Sequence, residues 1–319
     1  MRVLVTGGAG FIGSHLAEVL LDRGHEVVCF DNFDDFYDPE LKKRNIGRAM
    51  ASKHYQMVDG DILDRERLDK LFEDDFDAVA HLASYEGERG SVERPDIYQR
   101  VNVEGTLNVL ERCRDFKVPR FVFASSSSVY GEVNEVPFCE ADAVMRPISP
   151  SAATKVAGEA LCHAYHHLFG ISVHILRLFT VYGPRQRPDM AIHLFANNIL
   201  KGTPVKIFGD GKTSRDYTFV SDAVQAVASS VERCSGFHVI NIGAAKPTCL
   251  EDLVNVLSER LGRKPEIEIS PSHPGDVSIT YAAIDRAREI LGYEPKVKLE
   301  EGIDSFCTWL EETNGEEPD

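Results

Sequence analysis

MRVLVTGGAGFIGSHL, residues 1–16, decides how this chain is read. Met1 to Val5 is a short apolar run, the pattern of a buried strand. Gly7, Gly10 and Gly13 follow on a turn, and Phe11 to Leu21 continue with helical periodicity. Strand, glycine turn and helix in that order bring backbone N–H groups to a helix N-terminus, where they can hold a pyrophosphate. A glycine repeat alone is a weak signal; this one lies in the required context. A second apolar strand, Glu26–Phe30, runs into Asp31, eighteen residues beyond Gly13. A carboxylate there accepts hydrogen bonds from the ribose hydroxyls of an adenosine. No arginine follows immediately to receive a 2′-phosphate, so NAD is favoured over NADP.

A length of 319 residues allows one large α/β domain or two domains sharing a core. The net charge is −16, which argues against nucleic acid and anionic membrane surfaces as partners. An acidic chain that binds an anionic ligand must place its arginines locally, so their positions carry weight. No apolar run reaches transmembrane length, and a strand starting at residue 2 reads as the absence of a secretory leader. The seven cysteines (Cys29, Cys113, Cys139, Cys162, Cys234, Cys249, Cys307) are scattered, odd in number and lack a CxxC pair. They read as reduced thiols of a cytoplasmic protein. The acidic stretch after Trp309 reads as a frayed tail.

Strands and helices alternate from the start. Strands are expected at Arg2–Val5, Glu26–Phe30, Tyr55–Val58, Ala78–Leu82, Arg120–Ala124 and Val173–Leu178, with amphipathic helices between them, such as Arg65–Phe72 and Tyr98–Phe116. This rhythm predicts an α/β fold: a Rossmann-type doubly wound parallel sheet with helices on both faces. After Phe179 the elements shorten, and Pro184, Pro188, Gly209 and Gly211 punctuate loops. A cofactor lobe is expected over 1–178, with later segments within 216–242, such as His238–Ile242, returning to it. A smaller C-terminal α/β substrate lobe is expected over 179–319.

Ligands of such sheets bind beyond the carboxyl ends of the strands. The residues placed there are Gly7–Gly13, Asp31–Asn32, Asp59–Ile62, His81–Arg89 and Ser125–Ser128. Asp61 reads equally as a contact for an adenine amino group or as a helix N-cap before Leu63–Leu71. Asn102 reads as a buried polar anchor or a solvated helical residue. Tyr130 is a substrate-loop residue or an ordinary buried aromatic. Glu159, His163 and His167 share a helix face at i, i+4 and i+8, but no fourth ligand is evident, so no metal is expected. Cys139 reads as packed rather than nucleophilic.

TGGAGFIGSHL, Asp31-Asn32, Gly60-Asp61-Ile62, HLA at 81–83, VNVEGT, SSSSVYGE at 125–132 and SPSAATKVAGE at 149–159 resemble the extended short-chain dehydrogenase/reductase family. RLFTVYGPRQRPDMA at 177–191, IFGDGKTSRDYTFVSD at 207–222 and HPGDV at 273–277 resemble its UDP-glucuronate and UDP-glucose 4-epimerase branch. That resemblance implies an enzyme with tightly held NAD, which oxidises C4 of a UDP-hexose or UDP-hexuronate and reduces the turned-over keto sugar on its other face. It also implies a homodimer formed through two long helices, here 98–116 and 150–168. By the same resemblance Gly7, Gly10, Phe11, Ile12 and Gly13 hold the pyrophosphate, Asp31 and Asn32 the adenosine ribose, and Asp61 and Ile62 the adenine. Leu82, Ala83, Ser84 and Asn102 line the cofactor channel, and Lys155 binds the nicotinamide ribose. Ser126 stands beside the C4 hydroxyl, with Ser127 next to it. Thr180, Arg187, Arg215 and Asp276 hold the sugar and its UDP. The competing reading of Arg215 is a salt bridge with Asp216 or Asp222.

The chain departs from the family pattern twice. The family's Tyr-x-x-x-Lys motif has Ser151 at the tyrosine position, ahead of Lys155. A phenol starts near pKa ~10 and is tunable toward neutrality, whereas an aliphatic hydroxyl is a far weaker acid on a shorter arm. Three explanations stand: an introduced substitution, a rebuilt acid/base group, or binding with little turnover. The second departure is HLASYEGERGS, which carries Glu86 and Glu88 where relatives carry small or apolar residues. Those carboxylates face solvent, or pair with a cation such as Arg89 near the substrate, or supply a substitute base. Two rivals to the epimerase reading remain. One is a 4,6-dehydratase, disfavoured because Ser127 and Ser128 stand where that group places Asp-Glu. The other is a binding protein that reports NAD or nucleotide-sugar levels.

Overall fold

The computed structural model describes residues 1–315 apart from 133, 134, 145 and 272–276. Asp276 and the end of the acidic tail therefore lie outside the described residues. Seven parallel strands form one sheet: β1 (Arg2–Thr6), β2 (Glu26–Asp31), β3 (Tyr55–Asp59), β4 (Ala78–His81), β5 (Arg120–Ser126), β6 (Ser172–Leu178) and β7 (Phe237–Ile242). Their spatial order is β7-β6-β5-β4-β1-β2-β3. Every pairing is parallel, with Val3 beside Val27 on one side and Ala78 on the other. Val3, Leu4 and Val5 are fully buried, as expected of a central strand covered on both faces. Chain order reverses between β1 and β4, so a crevice opens beyond their carboxyl ends.

The predicted strands are all present, most of them one or two residues longer at an end. The segment around His238–Ile242 does join the sheet, pairing Val239 with Ile175 of β6. Helix α1 (Phe11–Asp22) covers one face together with the helix Val220–Arg233. Leu16 and Leu20 of α1 share a core with Val224, Val227 and Val231, positions three and four apart on the second helix. The other face carries Leu68, Leu71, Val109, Leu110 and Cys162.

One expected helix is irregular. The span predicted over 98–116 is α-helical at Pro95–Gln99, a π-helix at Arg100–Gly105, and α-helical again at Thr106–Asp115. A single widened turn leaves the apolar periodicity nearly unchanged, so sequence pattern does not reveal it. It carries Asn102. A separate core joins Ile192, Phe195, Leu253, Leu257 and Phe306. Beside it the strand Val205–Phe208 pairs in parallel with Ile267–Ser270.

Candidate active site

A cleft of about 750 Å³ runs across the switch point. At one end lies the glycine turn. Gly10 caps α1 without a side-chain hydrogen bond, so the first amides of the helix are left for a ligand. Glycine is dictated by space and conformation. A Cβ on Gly13 would lie 2.2 Å from the Gly7 carbonyl oxygen and 2.7 Å from Gly8 Cα, and Gly7 itself has φ +69°. Asp31 ends β2, and its buried carboxylate is fixed from both sides. Oδ2 accepts from the Ala9 amide at 3.1 Å and Oδ1 from the Phe33 amide at 2.9 Å. Burial pushes its pKa up, and Lys42 Nζ at 3.8 Å and the two amides pull it back. Asn32 donates to Asp61 Oδ2 at 3.0 Å, and Asp61 Oδ1 accepts from the Leu63 amide at 2.8 Å. The cap of the following helix, Arg65–Phe72, is Asp64, which accepts from the Arg67 amide at 3.0 Å. The N-cap reading of Asp61 is therefore corrected: the first helical residue lies too far along for it. Asp61 and Ile62 stay in the cleft wall.

Behind the cleft a chain of hydrogen bonds fixes the β4 loop. Thr106 Oγ1 donates to the Asn102 carbonyl at 2.6 Å, so it accepts from His81 Nε2 at 3.0 Å. His81 Nδ1 then accepts from Thr6 Oγ1 at 2.7 Å, and Thr6 in turn accepts from the Ala83 amide. This tautomer is assigned from the network. Burial, and secondarily Lys155, lowers the His81 pKa to about 3, so the ring is a neutral strut. Asn102 is a buried anchor. Its Oδ1 accepts from the Tyr85 amide at 2.8 Å, and its Nδ2 donates to the Tyr85 carbonyl and to Thr154 Oγ1. It positions the Leu82–Tyr85 segment without forming the wall itself.

Leu82, Ala83, Ser84 and Glu86 line the middle of the cleft with Ser126 and Ser127 at the end of β5. Ser126 Oγ accepts from the Ser128 amide at 3.2 Å. Ser151 and Lys155 stand one turn apart on the helix Pro150–Phe169, both buried behind the wall. Lys155 Nζ donates to the Ala124 carbonyl at 2.9 Å and meets Glu86 Oε1 at 2.6 Å. Ser84 Oγ donates to the same Glu86 oxygen at 2.9 Å. Glu86 thus takes the paired reading and not the solvent-facing one, with Lys155 rather than Arg89 as its cation. A buried ammonium needs a counter-charge, and Arg89 instead lies over the Phe208 ring, 3.7 Å from its centre. Arg89 is outside the cleft wall. The Tyr85 hydroxyl is engaged by Asp34, donating to its Oδ1 at 2.6 Å.

Thr180, Arg187 and Arg215 line the far end. Arg187 makes a two-pronged contact with Asp189, both bonds at 3.0 Å. Arg215 donates to the Ser214 carbonyl. The salt-bridge candidates for it serve backbone amides: Asp216 those of Ala244, Ala245 and Ala282, and Asp222 those of Lys296 and Val297. Sequence reasoning missed Asp34, Phe36, Lys42, Arg100 and Asp189, which also line the cleft. The Asp38-Pro39 start of the helix Pro39–Asn45 was a usable signal for Lys42.

The remaining candidates are structural. Glu159 pairs with Arg177 at 2.8 Å, His163 packs edge-on against Phe237, and no metal-binding cluster occurs among the described residues. Tyr130 is a buried aromatic whose hydroxyl donates to Asn241. Burial pushes the Cys139 thiol up, away from nucleophilic use.

A doubly wound parallel sheet, with a glycine cradle and a carboxylate at the ribose position, defines a dinucleotide-binding α/β protein. Residues 3–243 match the NAD dependent epimerase/dehydratase family, and the chain belongs to it. It is 40% identical to a UDP-glucuronate 4-epimerase of Thermodesulfobacterium geofontis over 97% of this chain and 96% of the relative. The crystal structure of UDP-glucuronic acid 4-epimerase from Bacillus cereus, in complex with UDP-glucuronic acid and NAD, superposes with a TM-score of 0.93 at 38% identity, covering 98% of this chain and all of that one. The Thermus thermophilus UDP-glucose 4-epimerase complex with NAD gives 0.89 at 34% identity, over 98% and 99% of the two chains.

Proposed function

We propose that this chain is an NAD-dependent UDP-sugar 4-epimerase acting on UDP-glucuronate. The observation that carries the reading is the continuity of the cleft from the Gly7–Gly13 cradle and Asp31 to Thr180, Arg187 and Arg215. The cradle fits a dinucleotide, since the first amides of α1 have no side-chain cap and Gly13, lacking a Cβ, lets the helix start close against the Gly7–Gly8 backbone. Bound there, NAD would supply a reversible acceptor for the C4 hydrogen of the sugar. Asp31 holds the ribose hydroxyls and opposes a 2′-phosphate by like charge. Ser126, oriented by the Ser128 amide, hydrogen-bonds the reacting hydroxyl. Arg187 and Arg215 meet the diphosphate and the uronate carboxylate, which match a guanidinium fork.

The division into a cofactor lobe over 1–178, joined by 216–242, and a substrate lobe over 179–319 belongs to the same reading. So does a cytoplasmic homodimer formed through the helices near 98–116 and 150–168. No helix among the described residues is long and apolar enough to cross a membrane. The test adds UDP-glucuronate, and separately UDP-glucose, to the NAD-loaded protein and follows absorbance at the reduced-nicotinamide band. Growth of that band with the uronate supports the reading. A flat trace with both sugars, together with no C4 epimer formed from either, refutes it.

A further inference from the structure

The cleft contains a carboxylate that the proposed reaction has not yet used. We propose that Glu86 is the catalytic acid/base of this chain, taking the place of the phenol that Ser151 does not supply. The inference rests on the proposed function. Ser151 and Lys155 share a face of one helix, four residues apart, so a long side chain at 151 would reach the Lys155 ammonium. A serine hydroxyl stops one bond beyond Cβ. Glu86 arrives instead from the β4 loop, with Oε1 2.6 Å from Lys155 Nζ.

The same ammonium is bonded to the carbonyl of Ala124, two residues before Ser126 on β5. Lys155 therefore holds the carboxylate two hydrogen bonds from the strand end that carries Ser126. Glu86 is not sealed in. Its side chain is 33% exposed and forms part of the cleft wall, while the Lys155 side chain is 3% exposed behind it. Ser84 fixes one oxygen.

Glu88 also lines the cleft, at the start of the helix Glu88–Glu93, but it is Glu86 that meets Lys155. Three further groups are engaged elsewhere. The Tyr85 hydroxyl is bonded to Asp34, His81 is a strut between two threonines, and Asp189 is clamped by Arg187. In the step assigned to Glu86, the proton of the sugar C4 hydroxyl passes to its carboxylate. The C4 hydrogen leaves with its bonding electron pair, as hydride, for which bound NAD would be the acceptor, and the alcohol becomes a ketone. Reversal on the other face of the ketone returns the hydride to C4 and the proton from the carboxylic acid to the C4 oxygen.

The test compares Glu86→Gln, Glu86→Ala and the natural chain. For Glu86→Gln, kcat falls by about 10²–10⁴-fold, the range for loss of a positioned acid/base group. Calorimetric affinities of the cofactor-free protein for NAD and for UDP stay within about threefold. Formate restores turnover to Glu86→Ala in a concentration-dependent way. Adding Ser151→Tyr to Glu86→Gln restores turnover as well. Three results overturn the assignment alone: Glu86→Gln turning over like the natural chain, no rescue by either formate or the tyrosine, or a loss confined to binding affinity. A natural chain that leaves UDP-glucuronate unchanged overturns the proposed function, and this assignment with it.

Discussion

Arg177 and Glu159 face each other across two hydrogen bonds, Nε to Oε1 at 3.0 Å and Nη2 to Oε2 at 2.8 Å. The pair is buried, and Ser125 Oγ adds a third bond to Glu159 Oε1 at 2.6 Å. It lies under the strand end that positions Ser126. Breaking such a pair leaves an uncompensated buried charge and costs about 3–5 kcal/mol, whereas replacing both partners by apolar residues is often neutral. Arg177→Met is therefore expected to lower stability to urea by that order. Arg177→Met with Glu159→Leu is expected to recover most of the loss.

The cradle makes a steric prediction. Gly13→Ala places a methyl against backbone, which cannot move aside. NAD affinity should fall at least about 100-fold by calorimetry, close to 3 kcal/mol. Gly47→Ala is the control, because a Cβ there meets nothing within 4 Å. It should leave NAD binding unchanged.

Asp31 governs cofactor choice. Asp31→Asn keeps the shape and removes the charge. Hydrogen bonds to charged groups contribute about 1.5–3 kcal/mol, so NAD affinity should fall roughly 10- to 100-fold. The discrimination against NADP should shrink at the same time, because the like charge is gone while Lys42 remains 3.8 Å from that site. Calorimetric titration with both dinucleotides measures the ratio. An unchanged ratio contradicts the role given to Asp31.

His81 sets part of the acid stability. Its folded pKa is lowered to about 3 from the ordinary 6.5. Between those values the unfolded chain binds a proton that the folded chain does not, so stability rises with pH across the window and is lost as pH falls through it. One proton corresponds to about 1.4 kcal/mol per pH unit. Burial lowers His15, His174 and His193 in the same sense. Urea unfolding free energies between pH 4.5 and 6 should climb with pH, and His81→Asn should reduce the slope by about one proton. An unchanged slope contradicts the assignment of His81 as a neutral strut.

The legible part of this molecule is the local part. The β1 turn and α1 follow from adjacent residues, since an apolar run, three glycines and a 3.6-residue period all lie within residues 1–21. Asp31 was legible because it ends a strand whose partner is β1. The Glu86–Lys155 contact joins residues far apart in sequence, and only the packing of the helix Pro150–Phe169 behind β4 and β5 brings them together. Asp61 and Asp64 are both plausible caps by residue type, and the choice depends on where the first helical turn settles. The contact of Arg89 with Phe208 was not legible either, because the two residues lie more than a hundred positions apart in sequence.

The central claim is that one cleft holds both a dinucleotide and a UDP-hexuronate and inverts the sugar at C4. Proton NMR of UDP-glucuronate incubated with the NAD-loaded protein tests it most directly. The signals of the C4 epimer, UDP-galacturonate, should grow to an equilibrium mixture that is also reached from UDP-galacturonate. A spectrum unchanged from either direction, with NAD bound, would contradict the account.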